Sequence, residues 1–128
     1  MAIKFIEKNV APNALFASIV LGEQGVPEIY AVKVNFSQGY NFYHLHLTAP
    51  SINWGVALSE DAVNQNTRED GTFDFYGDGI LNGIWTEGLT LSHPMVKSFY
   101  LIIDTGANPN MVKIAASNSP VYPFVDNK

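Results

Sequence analysis

His44 and His46 are the residues best suited to chemistry in this chain, two positions apart in YHLHL. On a strand that spacing sends both rings to one face. A His-x-His pair of this kind donates two ligands to zinc, copper or non-haem iron. The chain holds one further histidine, His93. A transition-metal site on His44 and His46 therefore needs the strand to meet the segment before Met95. Otherwise the two rings alternate with Tyr43, Leu45 and Leu47 and face solvent or an interface.

The stretch from Glu69 to Glu87, EDGTFDFYGDGILNGIWTE, is the richest in ligand-like groups. Asp74, Asp78, Gly79 and Asn82 mimic part of a calcium loop, with acids at its first and fifth positions and Gly at its sixth. Tyr76 at the third position and Trp85 in place of the bidentate Glu exclude an EF-hand. What remains is an irregular calcium site on Asp74 and Asp78, or ordinary turn chemistry. The same stretch has the ingredients of a sugar site. A pyranose stacks its apolar face on an aromatic ring and pairs its hydroxyls with amides and carboxylates. Trp85, Tyr76, Asp78 and Asn82 form that candidate ligand-binding set, whereas Trp54 lies on the apolar face of its strand and reads as core.

Other chemistries find no residues. There is no Cys, no G-x-S-x-G motif and no Gly-rich loop leading into a helix, so the chain is not expected to be an enzyme. Net charge is −5, and six lysines with the single Arg68 are scattered rather than clustered, which argues against nucleic acid. No apolar run approaches the ~20 residues of a membrane span. The opening MAIKFIEK is not a secretory signal, so a cytoplasmic protein, or one released without a signal peptide, is expected. Charged residues are 15% of the chain, against roughly 25% in an ordinary domain. So sparse a charged surface implies a homo-oligomer.

The elements that must position these residues are strands. Ala2 to Glu7 alternates, as does Glu28 to Phe36, and Ala14 to Leu21 fits a strand or two helical turns, its Ile-Val-Leu end and the Gly-Glu-Gln-Gly after it favouring a strand. Ser37-Gln38-Gly39 reads as a hairpin connection into Tyr40 to Thr48. Ile52 to Leu58 is a further strand, and Ser59 can cap a helical turn ahead of Glu60 and Asp61. Thr72 to Tyr76 reads as a short strand, Gly77-Asp78-Gly79 and Asn82-Gly83 as turns, and Ile84 to Leu91 as a strand interrupted by Gly88. Val96 to Asp104, apolar on both faces from Phe99 to Ile103, reads as a central strand that turns through Thr105 to Asn110 and pairs with Met111 to Ala116. Pro120 and Pro123 make the end an arm, 117–128.

About nine short strands with turns between them predict an all-β, antiparallel β-sandwich of jelly-roll type, residues 1–128 in a single domain. NWGVALSED and FYLIIDTG resemble an early and a late strand of starch-binding modules of the immunoglobulin-like sandwich type, although TGANPNM lacks their aromatic-and-Asn pair. YHLHL is similar to the first cupin motif without its Glu. These readings together imply a carbohydrate-binding, lectin-like module that takes a glycan and holds no cofactor beyond a structural calcium. A self-assembling structural protein, such as a phage or capsid decoration subunit, is the alternative, and a small metal-dependent enzyme on His44 and His46 the third.

Overall fold

The computed structural model describes residues 3–11, 16–47, 53–84, 88–106 and 109–119, and the side chains of all of these except 16, 82–84 and 88–96. The fold is all-β. Its axis is a pair of long strands, β3 (Ile29–Leu47) and β6 (Gly88–Asp104), antiparallel over both halves of their length. Around them lie β1 (Lys4–Asn9), β2 (Phe16–Leu21), β4 (Asn53–Ala57), β5 (Ile80–Ile84) and β7 (Asn110–Ser117). All seven form a single sheet in the order β2-β7-β3-β6-β4-β5, with β1 added to β3 in parallel.

The pairing changes halfway. The first half of β3 runs between β1 and β6, and β6 passes its register on to β4. The second half of β3 runs between β7 and β6. Register shifts between Asn35 and Tyr40 and between Tyr40 and Phe42 separate the halves. Inserted residues of this kind bend a strand and flip its side-chain parity. Val32, Val34, Phe36 and Tyr40 belong to the interior up to the second shift, and Tyr43, Leu45 and Leu47 beyond it. Residues of both halves, from Trp54, Val56 and Leu101 to Val112 and Ile114, share one cluster. The sheet must therefore curl, so that its two halves line a common interior.

The expected strand at Thr72 to Tyr76 is absent; Phe73 makes only an isolated bridge to Thr67. Ser37-Gln38-Gly39 is no turn, because β3 continues through it without a break, at a register shift. Asn82-Gly83 lies within β5 rather than a turn, paired with Gly55 and Trp54. The hairpin expected after Asp104 is a crossover instead: β3 lies between β6 and β7 and is antiparallel to both. The reading of Phe99 to Ile103 as central holds, since β6 is flanked by β3 and β4 and Leu101, Ile102 and Ile103 are fully buried. The arm at 117–128 falls outside the described residues beyond Ser119.

The outer face of the first half is covered by the one helix described, α1 (Glu60–Gln65), and by the loop after it. Ser59 caps α1 as its sequence implies, Oγ accepting from Ala62 N–H at 3.2 Å. Ala62 and Val63 of α1 with Phe73 and Phe75 of the loop pack on Ile29, Ala31, Tyr100 and Ile102. Gly55 makes room on this face for Ile80 of β5: a Cβ there would lie 2.9 Å from Ile80 Cγ2 and 3.3 Å from Leu81 O.

Candidate functional site

The loop after α1 is ordered by its own turn chemistry. Asn66 at the helix end donates from Nδ2 to Ala62 O at 2.8 Å and to Asp78 O at 2.9 Å, and Gln65 Nε2 reaches the same Asp78 carbonyl at 3.0 Å. A Cβ on Gly77 would overlap Asn66 Oδ1, which explains glycine there. Asp74 Oδ1 accepts from Tyr76 N–H at 3.0 Å and lies 3.9 Å from Arg68. Asp70 Oδ1 accepts from the Thr72 hydroxyl at 2.6 Å and from Thr72 N–H at 3.0 Å. These two bonds hold the Asp70 carboxyl below its ordinary pKa.

The structure places the candidate residues as follows. Asp78 is exposed and contributes its main-chain oxygen to the loop, and Tyr76 is 73% exposed. Asn82 is in β5 without a described side chain, and Trp85 falls outside the described residues. His44 and His46 do share the outer face of the second half, opposite Ala115 and Lys113 of β7. His44 is fully buried, its Nε2 3.3 Å from Ser117 Oγ and 3.2 Å from Ser119 O. Among the described residues no group of three or more His, Asp or Glu side chains is placed to hold a metal ion. Trp54 is core, as its strand position implies.

A surface that sequence reasoning missed lies between β1 and α1. Two depressions, of 370 and 330 Å³, meet at Phe5. One runs over Ile3 to Arg68, Glu69 and Asp70 of the loop; the other runs over Lys33 and Tyr100 to Glu7 and Glu60. Phe5 stands half-exposed between them. Phe5 alternates with Lys4 and lies on the face of Ile3; among the described strands β1 pairs with β3 alone, and Ile3 packs against the cluster beneath α1. The groove walls are tied down. Tyr100 donates its hydroxyl to Glu60 Oε1 at 3.2 Å, and burial, then this bond, pushes its pKa up. Glu7 Oε2 accepts from Asn35 Nδ2 at 2.9 Å.

No protein-family model and no curated protein matches the chain. Among solved structures it is similar to the crystal structure of Aeromonas hydrophila PliG, a periplasmic lysozyme inhibitor of g-type lysozyme. Identity is 11%, the TM-score is 0.51, and the likeness covers 89% of this chain and 98% of that one. At such identity the likeness is one of fold.

Three expectations meet this finding. The carbohydrate-binding module is corrected, and with it the decoration subunit and the His-dependent enzyme: the fold is one carried by an inhibitor of an enzyme. The cytoplasmic location is corrected as well, because the protein sharing the fold is periplasmic. The expectation of a non-enzyme agrees with that protein's role as an inhibitor. No helix among the described residues is long and apolar enough to cross a membrane.

Proposed function

We propose that the chain is a non-catalytic, inhibitor-type protein that docks a preformed surface on another protein and works outside the cytoplasm. The observation carrying this is the extent of the shared fold, nearly the full length of a periplasmic lysozyme inhibitor. Physical features support it. Docking asks for a rigid surface, since ordering a mobile one would cost affinity. Here strands and a bonded loop supply the rigidity. A low charged fraction, 15%, fits a surface that meets protein, whose contact centres are depleted in charge. A lack of cysteine is compatible with either side of the membrane.

The test is inhibition of a g-type lysozyme in a cell-wall lysis assay, with light scattering on the mixture. Loss of lysis that saturates with added protein, and a complex of one chain with one enzyme, is the expected result. Unchanged lysis at micromolar protein with no complex would remove the reading. Self-association of the chain without binding to the enzyme would do so too, in favour of a homo-oligomer.

A further inference from the structure

Resting on that reading, we infer that the groove between β1 and α1 is the docking surface, and that its occupant is a cationic segment of the partner protein seated over Phe5. An interface is anchored by an aromatic side chain near its centre, ringed by polar groups that exclude water. Phe5 is 50% exposed, on a strand rather than a loop, with a depression on each side. The groove walls set the sign of the occupant. Glu7, Glu60, Glu69 and Asp70 line it against two cations, Lys33 and Arg68. Arg68 is turned into its own loop, NH1 donating to Thr72 Oγ1 at 3.2 Å and to Phe73 O at 3.4 Å. Lys33 is half-buried in the floor.

An Arg or Lys entering the groove meets a ring face, where a cation is attracted by the quadrupole, and carboxylates already oriented by Tyr100 and Asn35. A net charge of −5 steers such a partner in. The same carboxylates repel a second copy laid face to face, which leaves a protein of opposite charge as the occupant.

The probe is an acetylated, amidated pentapeptide alternating arginine and leucine, titrated into isotopically labelled full-length protein and followed by amide chemical shifts. Shifts centred on Phe5, Glu7, Glu69 and Asp70 are expected, with none for the same peptide carrying glutamate for arginine. Phe5→Ala should weaken binding by roughly tenfold, the scale of an interface anchor. Glu69→Lys keeps Phe5 and should weaken it as well, while Val20→Ser, on β2 and 59% exposed, should not. Shifts centred elsewhere, equal binding of the acidic peptide, or folded Phe5→Ala and Glu69→Lys proteins that bind like the parent would overturn the inference. The same variants assayed on g-type lysozyme separate the two readings. Inhibition untouched by Phe5→Ala and Glu69→Lys removes the groove and keeps the inhibitor; peptide held in the groove without inhibition does the reverse.

Discussion

Glu28 ties three parts of the chain together, although it is one carboxylate at the start of β3. Its side chain pairs with Lys4 of β1 and accepts from the Tyr30 hydroxyl at 2.8 Å. Its main chain exchanges bonds with Thr105 just beyond β6: Thr105 N–H donates to Glu28 O at 2.9 Å, and Glu28 N–H donates to Thr105 Oγ1 at 3.3 Å. Lys4, then Tyr30, holds the Glu28 carboxyl below its ordinary pKa, and Glu28 raises that of Lys4. A depressed carboxyl pKa stabilises the fold fully above the unfolded pKa, and that contribution is lost as pH falls through the folded one. The raised Lys4 acts oppositely: its share persists below the ordinary lysine pKa and goes only at strongly alkaline pH. Glu28→Gln should therefore lower the melting temperature at neutral pH, by an amount that shrinks on acidification through the carboxylate range. A difference from the parent that did not change with pH would show that the charge of Glu28 does not couple to folding.

At the scale of elements, β6 bears the most. Its second half is central, with Leu101 and Ile103 facing the interior and Ile102 facing α1 and its loop. Leu101→Ala or Ile103→Ala removes buried methyl groups and leaves a cavity, at a cost of ~2–5 kcal/mol. Lys97, exposed on the same strand, should cost little as Lys97→Ala. Chemical denaturation of the three variants checks this, and Leu101→Ala unfolding with the parent would refute the central position. β3 shows why a long strand can deceive. Ser37, Gln38 and Gly39 have turn composition, yet they fall in the register shift that re-aims the strand. Sequence composition alone does not distinguish a turn from a bulge, because both need residues tolerant of irregular backbone.

For the molecule as a whole, charge governs encounter more than fold. With −5 net and carboxylates around the groove, association with a cationic partner should slow markedly from low to physiological salt, while dissociation changes less. Stopped-flow measurement of both rates tests this. An association rate indifferent to salt would place the contact on an uncharged surface, such as the one around Leu58 and Leu81.

What the sequence determined by itself was local. Alternation and β-branching marked most strands, the apolar run Phe99 to Ile103 marked a central one, Ser59 marked the helix start, and His-x-His marked two rings on one face. These properties depend on neighbours a few residues apart. Tertiary structure alone decided the rest. The crossover that puts β3 between β6 and β7, the parallel addition of β1 at the edge of β3, and the curl joining two half-sheets around one interior are pairings between distant segments. The exposure of Phe5 goes with that placement: the alternation that marks its strand is the same for a covered ring and an open one, and the fold sets β1 at an edge with this ring half-exposed beside α1 and its loop.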